Sequence, residues 1–301
     1  MISTQANALT NLYNDWTEKM ATGTMDIPEM RDMFEEWGDL ATEPADFTYS
    51  DVTIGGVRCL KAVEADRADD ERTLLCFHGG GFVCGSVESH RKMFSHIAKA
   101  VGCKALIVDY TRTPDNPHPG IVRQCADVYS GLLEQGVKAE NIAMIGDSAG
   151  GLLATAVPLH VHRNGLPIPA ASVALSPWYD MEPTGETFVS NADVDAFVSP
   201  EAVRLMAGMY VGEADSRDPT VSILYADPSP LPPMLIQVGG HETLLDDSRR
   251  FHEKAKAAGV DVELQVFPEM QHVFQLMAGK APEADDAIAK IAQWLRPKLG
   301  L

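Results

Sequence analysis

A serine near the middle of the chain lies in a pattern that favours nucleophilic chemistry. Residues 146–151 are Gly-Asp-Ser-Ala-Gly-Gly, between apolar runs at 141–145 and 152–157. A buried strand that turns into a helix through Gly-x-Ser-x-Gly holds its serine at the tip of a sharp, strained turn. The pattern therefore predicts Ser148 as an exposed nucleophile, and the flanking strand and helix disfavour a glycine-rich loop without chemistry. The residues that shape this turn are Gly146, Asp147 and Gly150.

A serine hydroxyl needs a base to take its proton, and a histidine late in the chain is the best placed. His272 follows the last predicted strand and is the last of nine histidines. In this strand-turn-helix architecture the partners follow the serine in the order acid, then histidine. We therefore predict His272 as the base; the alternative is a structural histidine. His160 and His162 lie two apart on a predicted helix and face apart, which disfavours a metal site.

The orienting acid is expected in the loop after the strand that ends at Val238, where three carboxylates occur. Asp246 and Asp247 open the next predicted helix, where free backbone amides stabilise an acid. Glu242 lies nearer the end of the strand. We therefore favour Glu242 over Asp246 as the orienting acid.

A second glycine cluster, His78 with Gly79, Gly80 and Gly81, follows the predicted strand 74–77. Attack on an ester carbonyl develops negative charge on oxygen, and backbone N–H groups must already point at it. A run of glycines lets the main chain approach that oxygen. A phosphate-binding loop is the competing interpretation, but neither glycine cluster matches GxGxxG or GxxxxGK[ST]. The sequence thus predicts neither a nucleotide nor another cofactor, and no metal.

The elements that must position these residues alternate from residue 73 onward. A β-hairpin at 47–63, turning at Gly55-Gly56, comes first. The predicted strands that follow are 74–77, 105–108, 141–145, 171–175, 234–238 and 262–266, and the predicted helices are 89–101, 121–133, one from 152, 247–258 and 284–295. This alternation predicts an α/β fold, a mostly parallel eight-stranded sheet covered by helices on both faces.

Two segments lie outside this alternation and are predicted to form a helical cap. Residues 1–45 contain two amphipathic helices, the second beginning at Asp26, and residues from about 182 to 215 interrupt the strand–helix rhythm. We expect 46–301 to form the catalytic domain, with 182–215 inserted above the carboxyl ends of its strands. Apolar side chains of the first segment form either a flexible lid or ordinary core: Met20, Met25, Met30, Met33 and Trp37.

Composition restricts the partners and the compartment. The net charge of -19 disfavours nucleic acid and anionic membrane surfaces as partners. No apolar stretch is long enough to span a membrane, and the N-terminus lacks the pattern of a secretion signal. Five cysteines without a C-x-x-C pair favour reduced thiols and a cytoplasmic location. One of them, Cys84, follows the second glycine cluster and is a candidate target of thiol reagents.

The motifs HGGG, GDSAGG and a late His-x-Phe, in this order, resemble the hormone-sensitive-lipase-like (bacterial family IV) esterases of the α/β-hydrolase superfamily. The resemblance covers nearly the whole chain. It implies a carboxylesterase that hydrolyses short- to medium-chain acyl esters through an acyl-enzyme, without a cofactor. It further implies that Ser148 and His272 form a triad with an acid, and that the amides of Gly80, Gly81 and Ala149 form the oxyanion hole.

The chain departs from this family pattern at two places. Thr111 stands where an arginine is usual and Arg112 comes one place later, which puts an arginine brace of the loop in question. Glu242 stands where the family has a catalytic aspartate; triads tolerate either acid, so the role is assigned to Glu242.

Two other functions remain open on the sequence. The same triad would serve a lactone or an acetyl ester. A non-catalytic ligand receptor of this fold, similar to the plant gibberellin receptors, is disfavoured because such receptors replace the catalytic histidine, and His272 is present. The expected partner is a small ester, and the last strand, 262–266, is a candidate edge for a homodimer.

Overall fold

A computed structural model describes residues 2–67 and 71–301, and within them the chain forms one eight-stranded sheet. The strands are β1 (Phe47–Ile54), β2 (Val57–Glu64), β3 (Thr73–Phe77), β4 (Lys104–Val108), β5 (Ile142–Asp147), β6 (Ala171–Leu175), β7 (Met234–Gly239) and β8 (Val262–Phe267). The helices are α1 (Asn7–Ala21), α2 (Ile27–Phe34), α3 (Val87–Val101), α4 (Gly120–Glu134), α5 (Ala149–Arg163), α6 (Thr187–Ser190), α7 (Pro200–Val211), α8 (Leu245–Ala257) and α9 (Pro282–Leu295).

The strand order is β1-β2-β4-β3-β5-β6-β7-β8. β1 and β2 pair antiparallel with each other, β2 pairs antiparallel with β4, and all other neighbours are parallel. The predicted α/β-hydrolase fold is therefore confirmed. Because parallel strands end at the same edge, the loops that follow β3, β5, β7 and β8 gather there with the predicted site residues.

Helices cover both faces of the sheet because its central strands are apolar on both sides. In β3, Leu74 and Cys76 point into one buried cluster, whereas Leu75 and Phe77 point into the other. The first cluster includes residues of α1, α2, α3 and α9; the second includes residues of α4, α5 and α8. This is the period-two alternation expected of a strand buried on both faces.

The N-terminal segment is anchored by its own capping and by aromatic contacts. Asp26 caps α2 with a reciprocal hydrogen bond to Glu29, as the sequence predicts. Phe197, from the 182–215 segment, lies with its ring centroid 5.7 Å from that of Phe34 and 5.9 Å from that of Trp16. The two segments predicted as a cap thus pack against each other.

Candidate active site

Ser148 lies on a strained turn between β5 and α5. Its backbone has φ 53° and ψ -118°, a left-handed conformation that is costly for a residue with a side chain. A Cβ on Gly146 would lie 2.0 Å from the carbonyl oxygen of Gly150, and one on Gly150 would lie 2.0 Å from that of Phe77. Both glycines are therefore required by close backbone approach, and the serine side chain faces a cavity.

The loops after β7 and β8 bring the predicted acid and base together. His272 Nδ1 donates a hydrogen bond to Glu242 Oε2 at 2.8 Å, and both side chains are buried. His272 lines the same cavity as Ser148. The carboxylate of Asp246 instead accepts the backbone N–H of Glu186 at 2.9 Å. The structure thus places Glu242, and not Asp246, against the histidine.

The environment of His272 favours its protonated form. Burial by itself lowers the pKa of the imidazole, but the hydrogen bond and the negative charge of Glu242 outweigh it, with further contributions from Asp195 and Asp147. The pKa of His272 is consequently raised above its ordinary value. A histidine of this kind accepts a proton readily and holds it next to a carboxylate.

Ser176, at the end of β6, links the acid to the histidine loop. Its Oγ donates to Glu242 Oε1 at 2.6 Å and accepts the backbone N–H of Val273 at 3.1 Å. Gly239 N–H donates to the same oxygen of Glu242. Both oxygens of the carboxylate are therefore occupied, which fixes its orientation towards His272.

The second glycine cluster forms a tight loop beside the serine. Gly80 and Gly81 have φ 107° and 62°, and a Cβ on Gly80 would lie 2.2 Å from the carbonyl oxygen of Cys84. Both glycines line the cavity together with Ser148. Ala149 is the first residue of α5, so its N–H belongs to the free amides at the helix start. Gly80 and Gly81 thus border the cavity, and Ala149 directly follows Ser148 in the chain.

Asp147 ties the glycine loop to the serine turn. Its Oδ1 accepts the backbone N–H of Gly79 at 3.1 Å, and its Oδ2 lies 3.2 Å from His90 Nε2. His78 Nδ1 donates to the carbonyl of Gly79 at 2.8 Å, and its ring stacks on Tyr110. Burial lowers the pKa of His78, so that this imidazole is neutral and holds the loop through hydrogen bonding.

Two arginines brace the loop after the glycines, one of which the sequence left in question. Arg112 donates to the carbonyl oxygen of Gly85 at 2.7 Å, so the arginine shifted by one place still reaches the loop. Arg31 donates to the carbonyl oxygens of Val83 at 2.9 Å and Thr113 at 2.8 Å.

The prediction that Cys84 is a target of thiol reagents is wrong, because its side chain is fully buried and burial raises its pKa to about 12.

The two segments predicted as a cap contact the loops of Glu242 and His272 directly, which sequence patterns did not reveal. Tyr13 of α1 donates its hydroxyl to the backbone carbonyl of His272 at 2.9 Å. Gln271 accepts from Ala196 N–H at 3.0 Å, and Asp195 accepts from Thr243 N–H at 2.6 Å. For Tyr13 the sequence indicates only that it lies on the apolar face of the first predicted amphipathic helix. The other contacts join residues far apart in the chain.

The cavity above Ser148 is small, with a volume of about 50 Å³. Its polar side chains are those of Ser148 and His272. The residues around them are Met20, Phe34, Trp37, Gly80, Gly81, Trp178, Phe197, Val198, Ala202, Val203, Met206 and Leu244. Of the apolar residues considered for a lid, Met20 and Trp37 border the cavity, whereas Met30 and Met33 are buried core. The site therefore fits a small, largely apolar molecule.

Residues 2–67 and 71–301 contain neither a cluster of metal-binding side chains nor a membrane-spanning helix. In that part of the chain, no group of three or more His, Cys, Asp or Glu side chains is arranged to hold a metal ion. Within the same ranges, no helix has the length and apolar character needed to cross a bilayer.

The sequence of this chain is similar to those of known proteins. Residues 74–276 match the model of a family described by its alpha/beta hydrolase fold. The chain is 36% identical to an acetyl-hydrolase of Streptomyces hygroscopicus, over 88% of this chain and 87% of that protein. It is 37% identical to an esterase of Acinetobacter venetianus, over 81% of this chain and 80% of that protein.

Solved structures are similar to this chain over nearly their full length. An esterase from the bacterial hormone-sensitive lipase family is 40% identical, with a TM-score of 0.94, and the similarity covers 100% of both chains. A hormone-sensitive lipase from a metagenome library is 34% identical, with a TM-score of 0.92 over 98% of each chain.

Proposed function

Because the chain belongs to the hormone-sensitive-lipase-like (bacterial family IV) esterases of the α/β-hydrolase fold, which are carboxylic ester hydrolases, we propose that Ser148, His272 and Glu242 form its catalytic triad. The observation that carries the proposal is the 2.8 Å hydrogen bond from His272 Nδ1 to Glu242 Oε2. This bond leaves Nε2 of the same ring free to accept a proton, and the ring borders the cavity that Ser148 faces.

The first half-reaction forms an acyl-enzyme. Ser148 Oγ attacks the ester carbonyl carbon while His272 Nε2 takes the hydroxyl proton, and Glu242 stabilises the imidazolium that results. The carbonyl oxygen becomes an oxyanion held by the N–H groups of Gly80, Gly81 and Ala149. Each such donor contributes about 3–4 kcal/mol to lowering the barrier. As the tetrahedral intermediate collapses, the C–O bond to the alcohol breaks and His272 gives that oxygen the proton.

The second half-reaction releases the acid. Water enters where the alcohol left, His272 takes one of its protons, and the hydroxide oxygen bonds to the acyl carbon. Collapse breaks the bond to Ser148 Oγ, which recovers its proton from His272. No cofactor enters either half, because the proton acceptor, the nucleophile and the oxyanion donors all come from the chain.

We propose acyl esters of short to medium length as the substrates. The small apolar cavity supports this, since it would bury a short acyl chain and repel a charged one. A second candidate is an acetyl ester specifically, which the similarity to an acetyl-hydrolase favours; a lactone would use the same groups. The free edge of β8 remains our proposed contact for a homodimer.

Ser148→Ala tests the proposal with p-nitrophenyl acetate as substrate. We expect ester hydrolysis to be lost while the thermal unfolding transition is retained. Ser190→Ala, at an exposed position on α6, is the matched control and should keep wild-type turnover. Wild-type turnover in the folded Ser148→Ala protein would refute the proposed triad.

A further inference from the structure

We propose, on the basis of the function proposed above, that Met206 of α7 limits the length of the acyl group and makes the enzyme selective for acetyl to butyryl esters. The first observation is a contact with the glycine loop. A Cβ added to Gly81 would lie 1.9 Å from Met206 Sδ, so the thioether sits directly against the glycine. Met206 therefore covers the backbone that we assign to the oxyanion hole.

The chemistry of the reaction decides which part of the ester meets Met206. His272 must protonate the leaving oxygen, so the alcohol lies on the histidine side of the carbonyl carbon. With the oxyanion on the glycine amides and Ser148 Oγ below, the acyl chain has to extend away from His272. Gly81 and Met206 both line the cavity and lie against each other, so an acyl chain on this side meets Met206.

The cavity wall beside His272 supports the same assignment. Phe197 lies with its ring centroid 6.1 Å from that of His272, and it stacks on Tyr13 with centroids 4.3 Å apart. This aromatic side therefore borders the space of the alcohol. Phe197 precedes α7 whereas Met206 lies on it, so the acyl and alcohol preferences are separable by mutation.

The position of Met206 on α7 allows its side chain to limit the length of the cavity that is open to the acyl chain. Ala202, Val203 and Met206 follow one another at helical spacing and all line the cavity. Methionine is unbranched and flexible, so its removal lengthens the cavity without breaking a hydrogen bond. Leu205, its neighbour in sequence, points away from the cavity and is 58% exposed. It provides a matched control of similar size on the same helix.

The test measures kcat/KM for p-nitrophenyl esters from acetate to octanoate. In Met206→Ala we expect the ratio of octanoate to acetate to rise by about tenfold or more, since a pocket discriminates about tenfold or more for each methylene. Met206→Phe should lower the ratio of butyrate to acetate. Leu205→Ala should keep the wild-type profile.

A second series separates the acyl side from the alcohol side. With acetate esters of alcohols from ethanol to octanol, Met206→Ala should leave the preference unchanged. A shift in this alcohol series, an unchanged acyl profile in Met206→Ala, or an equal shift in Leu205→Ala would each overturn the assignment. If Met206→Ala fails to fold, the larger Met206→Phe side chain decides the question alone.

The outcomes also distinguish this inference from the proposed triad. Hydrolysis that depends on Ser148 but shows no change of profile in the Met206 variants would refute only the role of Met206. Hydrolysis that persists in folded Ser148→Ala would refute the triad, whatever the chain-length profile.

Discussion

His90 Nε2 lies 3.2 Å from Asp147 Oδ2 in the interior of the protein, and the other oxygen of that carboxylate accepts the N–H of Gly79 at 3.1 Å. The pair therefore joins α3, the serine turn and the glycine loop through one buried carboxylate. A charge buried in this way is stable only while its partners are in place.

His90→Leu is expected to lower kcat by about tenfold or more with little change in KM. The oxyanion develops only after the substrate has bound, in the transition state and the tetrahedral intermediate, so a loosened Gly79 loop affects the reaction more than substrate binding. His90→Gln keeps an N–H donor near the position of Nε2 and should recover most of kcat. Affinity for a trifluoromethyl ketone should fall in parallel with kcat; a His90→Leu protein that is merely less stable and retains kcat would contradict this prediction.

Glu242→Gln is expected to reduce kcat by about a thousandfold or more, because an amide no longer stabilises the imidazolium of His272. Asp246→Asn is the matched control. Its side chain faces Glu186 rather than His272, so we expect near-wild-type kcat and a loss of about 1 kcal/mol or less in the free energy of unfolding. Steady-state kinetics and chemical denaturation of both variants would check this, and the reverse pattern would move the acid role to Asp246.

The pH profile of kcat/KM should report the environment of His272. The base must be neutral to accept a proton, and Glu242 raises the pKa of His272. The decline of kcat/KM towards acid pH should therefore begin above the ordinary pKa of histidine. In Glu242→Gln the largest raising influence is lost while burial still lowers the pKa of His272, which moves the acid limb to lower pH. An acid limb at the same pH in both proteins would show that it belongs to another group.

Asp247 is expected to make the protein less stable as the pH rises from about 4 to 7. Its Oδ2 accepts the N–H groups of Tyr179 and Asp180, and its Oδ1 has no hydrogen-bond partner among the described residues. Burial raises its pKa to about 7, so the folded state keeps a proton that the unfolded chain has lost.

Asp247→Asn can keep both backbone hydrogen bonds without titrating. Relative to wild type, the variant should gain about 4 kcal/mol in the free energy of unfolding between pH 4 and pH 8, from about three pKa units at 1.36 kcal/mol each. Urea denaturation of both proteins across this range measures the difference. A constant difference would contradict the raised pKa.

The fold could be predicted from the sequence because the signals for its strands, turns and helices are local. The apolar run before Ser148 and the glycines around it predict a strand, a turn and a helix without knowledge of any distant residue. The order of Glu242 and His272 after Ser148 indicates where to look for an acid and a base. The structure brings these two side chains together, and their catalytic roles stay predictions.

The supporting contacts could not be predicted because they join distant residues. Nothing in the pattern around Ser176 shows that its hydroxyl reaches Glu242, and nothing near Tyr13 shows that it holds the loop of His272. Asp247 was expected to stabilise the start of its own helix, but its carboxylate binds the turn after β6 instead. The prediction for Cys84 failed for a related reason. Its position next to the glycine cluster in sequence does not indicate whether its side chain is exposed.

The most direct test of the account is covalent labelling of Ser148 with diethyl p-nitrophenyl phosphate, followed by mass spectrometry of the peptides. We predict one diethylphosphoryl group per chain, on the peptide that contains Ser148, and no such adduct in Ser148→Ala. In folded His272→Ala the labelling rate should fall by about a thousandfold or more, because no base takes the hydroxyl proton. An adduct on another residue, or wild-type labelling in His272→Ala, would contradict the claim that His272 activates Ser148.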